Sequence, residues 1–168
     1  MKTIYNIIIA ILVITGLSAC KKEYYSLYKD NKPEIPVTYE GARTAGFNPY
    51  IEIPATQNNI SVTLLIPETS GRKIKEISKV EAGSTAINAN GARKGKYISS
   101  AIAGQGNKVT FSTTLSSFKA YSPNNEKLIA DFMTNAKANE LQIAFMFLIK
   151  LDNDQEIIPV QLRVVLKK

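Results

Sequence analysis

The 168-residue chain has no histidine, no tryptophan and a single cysteine. Without histidine it lacks the usual general base near neutral pH, the Ser-His-Asp and Cys-His catalytic arrangements, and the common zinc sites. Ser116 and Lys119 have Ser-x-x-Lys spacing, but no supporting motif accompanies them, and chance explains the match. One cysteine cannot form a disulfide within the chain, so the core must hold by packing alone, which a segment of this size can supply. The longest uninterrupted apolar run, Ile7 to Ile14, falls short of the ~20 residues that a membrane-crossing helix needs. Gly104-Gln105-Gly106-Asn107 is not a phosphate loop, because neither Lys-Ser/Thr nor a helix follows, and it reads as a hairpin turn. The chain is therefore expected to be non-catalytic and to carry no cofactor.

What is present begins with Cys20. Lys2 supplies a positive start, Ile4 to Val13 is strongly apolar, and Thr15, Gly16, Ser18 and Ala19 are small residues of the kind found near a cleavage site. The run Leu17-Ser18-Ala19-Cys20 resembles the lipobox of bacterial lipoprotein precursors. That resemblance implies cleavage before Cys20, a diacylglycerol on its thiol and acylation of the new amine. Several acyl chains anchor far better than one, since each buried methylene contributes about 0.8 kcal/mol. The expected organisation is a removed signal peptide over 1–19, a lipidated tether over 20–36, and one β domain over 37–168. Lys21 is not the aspartate associated with inner-membrane retention. Lys21-Lys22-Glu23 partly resembles export signals on surface lipoproteins of the Bacteroidetes, or is simply a solvated tether. The expected address is therefore the cell envelope, lipid-anchored at the outer membrane on its periplasmic or outer face. Tyr24, Tyr25 and Tyr28 either lie in the membrane interface or pack on the domain as a first strand.

The formal net charge is +7. The excess is local: Arg72, Lys73, Lys75, Lys79, Arg93, Lys94, Lys96 and Lys108 face only Glu76 and Glu81 in their stretch. A patch for an anionic polymer or lipid headgroups is one reading. The other, which fits a lysine-rich solvated sheet face, needs no ligand. The envelope address argues against nucleic acid as a partner.

Downstream of the tether, period two dominates. Ile60, Val62, Leu64 and Ile66 alternate with mostly polar neighbours, and Val109, Phe111, Thr113 and Leu115 do the same. Tyr50 to Ile53 and Tyr97 to Ala101 are shorter candidates. Ile74, Ile77 and Val80, spaced by three, predict a strand with a bulge in Arg72 to Ala82, flanked by turns at Ala82-Gly83-Ser84 and Asn88 to Gly91. Asn124 to Ala136 is the helical candidate, with Leu128, Ile129, Phe132, Met133 and Ala136 on one side and Ser122-Pro123 or Asn124-Asn125 at its start. Leu141 to Leu151 is apolar on both faces, which suits a central strand covered twice or a strand that presents a partner surface. Asp152 to Gln155 predicts a hairpin turn, and the return strand carries Val160, Leu162, Val164 and Leu166 inward and Gln161, Arg163 and Lys167 outward. Pro159 predicts an edge or a bulge there.

The fold expected is all-β with minor α: an antiparallel, immunoglobulin-like sandwich with one short helix, or else a small open barrel. The runs Val80 to Ile87, Val109 to Leu115 and Ile158 to Val164 resemble envelope lipoproteins of the Bacteroidetes with an immunoglobulin-like β domain. Some of those accompany outer-membrane glycan uptake systems. The resemblance implies a neighbourhood and supplies no site residues.

Two partner classes follow. One is other envelope proteins, docked through the doubly apolar strand. The other is glycan. Tyr39, Arg43 and Tyr50 lie with Gly41, Gly46 and Phe47 in a loop-like stretch, and a tyrosine beside an arginine can grip a sugar or a glycan carboxylate. Packing at the sandwich end is the competing account of these residues. Asp152, Asp154 and Glu156 have part of a calcium-loop spacing, but Ile157 and Arg163 stand where that pattern needs glycine and glutamate, so no metal site is expected.

Overall fold

Residues 33–168 are described by the computed structural model; the expectations for the signal peptide, Cys20 and the tyrosines that follow it lie outside this range. In chain order the described strands are β1 (Thr38–Tyr39), β2 (Arg43–Ala45), β3 (Asn48–Pro54), β4 (Asn59–Leu65), β5 (Ile74–Ser84), β6 (Ile102–Ala103), β7 (Lys108–Thr114), β8 (Glu140–Leu151), β9 (Glu156–Ile157) and β10 (Leu162–Lys167). The helices are α1 (Ala89–Lys94), α2 (Leu115–Tyr121) and α3 (Pro123–Thr134), with a 3-10 turn at Glu68–Ser70. One sheet has the order β1-β4-β7; the other runs β2-β3-β10-β8-β5-β6, with β9 added on β8. The two are separate and open-edged, a sandwich rather than a barrel.

Alternation builds the sandwich core. Ile60, Val62 and Leu64 of β4 and Val109 and Phe111 of β7 are buried, with Val62 opposite Phe111 in register. From the other sheet come Ile143, Phe145, Phe147, Ile149 and Leu151 of β8 and Leu162, Val164 and Leu166 of β10. Phe111 joins the layers, its ring 5.3 Å from Phe145 and 5.1 Å from Phe147. The bulge expected in β5 is present as register shifts at Ile74/Glu76 and Ile77/Lys79, and these turn all three of Ile74, Ile77 and Val80 into the core.

The second face of β8 is also covered. Met146 and Leu148 are buried against Ala92 of α1 and Ile158. Of the two readings of this strand, the molecule adopts the twice-covered central one, between β10 and β5. The surface that motivated protein docking through β8 is occupied by the chain itself.

Several expectations are corrected. The sandwich is not antiparallel throughout, because β10 pairs β3 in parallel. A parallel pair needs a long connection, and these two strands lie near opposite ends of the described chain. The single helix becomes three. α3 is the expected one, with Pro123 at its first position and the Ser122 hydroxyl accepting from the Asn125 N–H at 3.2 Å. α2 was hidden because Leu115 completes the alternation of β7; Leu115 and Phe118, three apart, are in fact its buried side. Asn88 caps α1 by accepting from the Gly91 N–H at 3.0 Å, using turn chemistry to start a helix. Gly83 continues β5 opposite Ala144 rather than turning, and a Cβ there would lie 3.0 Å from the Ile87 side chain. In the Tyr97 to Ala101 stretch no strand forms; only Ile102–Ala103 pairs, with β5. The loop-like stretch around Arg43 is the β2–β3 hairpin, turning at Gly46-Phe47 with Gly46 at φ +62°. The turn at Gly104 to Asn107 leads from β6 in one sheet to β7 in the other. Pro159 falls in the gap between β9 and β10, so the return strand is broken there rather than bulged or at an edge.

Candidate functional site

The helix α1 covers only one end of the large sheet's outer face. At the other end, period two turns Tyr50 and Glu52 of β3, Arg163 and Val165 of β10, and Glu140 and Gln142 of β8 to the same side. Register aligns Arg43, Tyr50, Arg163 and Ala144 as one row across four strands. Ala144 is small and fully buried, so the long Arg163 side chain has room to lie over the sheet. Ala45, Tyr50, Glu52, Glu140, Gln142, Arg163 and Val165 enclose a cavity of about 210 Å³, with Val165 as its buried apolar floor. Ligand pockets for drug-sized molecules run to about 300–1,000 Å³, so this one suits a single sugar unit or substituent of a longer chain.

An ion-pair network rims the cavity. Lys167 Nζ lies 2.9 Å from Glu140 and 3.3 Å from Glu52, and Arg43 lies 3.6 Å from Glu52. The hydrogen bond to Glu140 is the main cause raising the Lys167 ammonium above the ordinary lysine range. These pairs are exposed and contribute little to stability; they set orientation and local charge.

Among the described residues, two buried side-chain atoms have no protein partner: Arg163 Nε, and Gln161 Oε1, whose residue lies outside the cavity's lining. Arg163 Nη1 donates to Gln142 Oε1 at 3.3 Å, and Gln161 Nε2 donates to the Thr85 carbonyl at 3.2 Å, so each side chain is held at one end only. Gln161 is only 8% exposed. A buried polar atom left unpaired costs about 1–3 kcal/mol, and such a cost in a folded protein asks for an explanation. One orphan is a donor and the other an acceptor, on successive outward positions of one segment.

Of the residues singled out in the sequence, Tyr50 lines this cavity. Arg43 stands beside Tyr50 in register but is exposed and engaged with Glu52. Tyr39 is elsewhere. It is a core residue of the small sheet, its hydroxyl donating to the Val160 carbonyl at 2.7 Å and its ring 6.1 Å from Phe147. Burial pushes its phenol far above the ordinary tyrosine range. Tyr39 and Arg43 are four apart in sequence, yet β1 and β2 join different sheets. Arg163, Gln142, Glu52 and Glu140 were not foreseen as site residues. The available signal was an arginine and a glutamine facing outward from strands otherwise rich in apolar residues.

Other clusters are explained internally. A cavity of about 620 Å³ beside the start of α3 includes Glu81, Tyr121 and Asn125. There Tyr121 donates to Glu81 at 3.1 Å, and Asn125 Nδ2 donates to the Ala82 and Phe118 carbonyls. At the β8–β9 turn Asp154 accepts from Lys75 at 2.8 Å and lies 3.3 Å from Lys150, while Arg72 stands 4.0 Å from Asp152. The hydrogen bond from Lys75 leads the causes that lower the Asp154 carboxyl below the usual range. That pairing accounts for part of the basic stretch as a solvated, ion-paired surface. No group of three metal-ligating side chains gathers among the described residues, and none of their helices is long and apolar enough to cross a membrane. No protein family, no curated protein and no solved structure matches the chain.

Proposed function

We propose that the chain is a non-catalytic, lipid-anchored envelope protein whose β domain binds glycan on the open end of its large sheet. The observation that carries this reading is the cavity itself, in which the Tyr50 ring stands with the polar side chains of Gln142, Arg163, Glu52 and Glu140. A polyhydroxylated ligand can donate to and accept from those polar groups, and a tyrosine ring offers a sugar a flat apolar surface. The test is affinity electrophoresis of the full-length protein in detergent through gels containing neutral and acidic glycans. Retardation by at least one glycan, reduced in Tyr50→Ala, is expected. Free migration through every gel removes the reading.

Docking of another envelope protein is a second reading, now motivated by a different feature. Phe47 is 89% exposed at the tip of the β2–β3 hairpin, and exposed aromatics are frequent anchors of protein interfaces. Crosslinking in envelopes through a photoreactive residue at position 47 should then yield one discrete adduct. A smear without a discrete species argues against it.

A further inference from the structure

Among the described residues no strand pairs with the free edge of β7, where the small sheet ends. The Leu115 N–H donates to the Asn58 carbonyl and the Ile66 N–H to the Asn107 carbonyl, which fixes the alternation of the ladder. Phe111 and Thr113 therefore turn their backbone groups to β4, and Ser112 turns its N–H and carbonyl outward. Facing that edge is the segment from Gly95 to Gly104. A Cβ at Gly95 would collide with the Val80 carbonyl, and one at Gly104 with that of Ile74, so both glycines let the backbone lie directly on β5. The Tyr97 N–H donates to the Val80 carbonyl and the Gly104 N–H to that of Lys75, so the segment is pinned at its two ends. Between them it leaves a cavity of about 560 Å³ against β7, within the ~300–1,000 Å³ of ligand sites. No charged side chain is among the described residues that line it. Phe111, fully buried, closes its base, and Tyr97 and Tyr121 stand half-buried along it. Tyr121 is held from two sides: its hydroxyl donates to Glu81 at 3.1 Å, and its ring meets Tyr97 edge to face, with centroids 5.1 Å apart and planes at 78°. The Glu81 bond accounts for the tip of Tyr121 and not for its ring. Tyr121 also lines the 620 Å³ cavity at the start of α3, so the two cavities meet at this one side chain.

We infer that a neutral oligosaccharide binds along this groove, across Tyr121. A sugar unit has an apolar face and a rim of hydroxyls that donate and accept. The tyrosine ring suits the first; the outward N–H and carbonyl of Ser112, with the exposed hydroxyls of Ser99 and Ser100, suit the second. An ionic ligand would give up its hydration against an uncharged wall and gain no counter-charge there. The groove also runs on past Thr114, the last residue of β7, to Ser122 and Asn124, where a peptide added as a strand has no ladder to follow. This groove shares no lining residue with the Tyr50 cavity, and the inference does not rest on that site.

Hexasaccharides of glucose, mannose and xylose, a galacturonate hexamer, and a capped hexapeptide of alternating threonine and valine would be titrated by calorimetry into the full-length protein in detergent, with hydrogen exchange read for each mixture. At least one neutral hexasaccharide should bind and slow exchange over residues 97–102 and 110–121. Tyr121→Ala should weaken that binding roughly tenfold or more. Ser100→Arg should do the same; its position is exposed, so a long side chain obstructs the groove without disturbing the core, and it keeps the test valid if Tyr121→Ala fails to fold. Tyr50→Ala should leave this binding unchanged. Slowed exchange over 48–54 and 161–166 instead places the sugar at the Tyr50 cavity, which overturns the inference and leaves the glycan reading standing. Tighter binding of the galacturonate hexamer in this groove overturns the neutral class. Protection of 110–114 by the peptide and by no sugar overturns the inference in favour of strand addition. Failure of every neutral hexasaccharide to bind overturns it as well, while the Tyr50 cavity is still judged by its own gels.

Discussion

Tyr39 and Val160, 121 positions apart, are joined by a 2.7 Å hydrogen bond from the phenol to the backbone carbonyl. The bond ties the small sheet to the segment around Pro159, where the ladder of the large sheet is interrupted and a backbone acceptor needs a partner.

Tyr39→Phe keeps the ring and leaves that carbonyl unpaired, so it should destabilise the domain by about 1–3 kcal/mol. The same residue sets an alkaline limit. Burial raises the phenol's pKa in the folded protein, so its contribution is complete below the unfolded value of about 10 and is lost as pH rises beyond it. Denaturant unfolding at pH 8 and near pH 11 should show a steeper loss in the wild type than in Tyr39→Phe. Equal slopes would place Tyr39 outside the core.

Leu148 distinguishes a covered strand from a docking strand. Packed under α1, it should behave as a core residue, and Leu148→Ala should cost about 2–5 kcal/mol. A surface position would change stability by less than about 0.5 kcal/mol. Chemical denaturation of the purified variant decides between the two, and a near-neutral result would mean that α1 does not cover β8.

Cys20→Ser tests the anchor proposed from Leu17-Ser18-Ala19-Cys20. It should move the protein from the membrane to the soluble fraction while far-ultraviolet circular dichroism still reports a folded β domain. Retention in membranes after a salt wash would sink the lipid assignment.

The parts legible in the sequence are those where one local pattern met no competitor. β4, β7 and β8 follow from alternation, the β5 bulge from the triplet spacing of Ile74, Ile77 and Val80, and α3 from Ser122-Pro123 ahead of an apolar side. α2 was masked because Leu115 satisfies two periods at once. The site was only partly legible for a different reason. Tyr50 and Arg43 belong to one hairpin and can be read together, whereas Gln142 and Arg163 meet them only through the order β3-β10-β8, a tertiary fact with no local signature. The same separation misplaced Tyr39, whose neighbourhood in sequence is not its neighbourhood in space.

The parallel pairing of β3 and β10 sets a timetable for folding. β10 lies between β3 and β8, so the middle of the large sheet is supplied by the final described strand. Until Leu162–Lys167 has left the ribosome, the early and late parts of this sheet have nothing to join them. Pairing of the β2–β3 hairpin with the rest of the large sheet therefore waits for β10, however early the hairpin itself has formed.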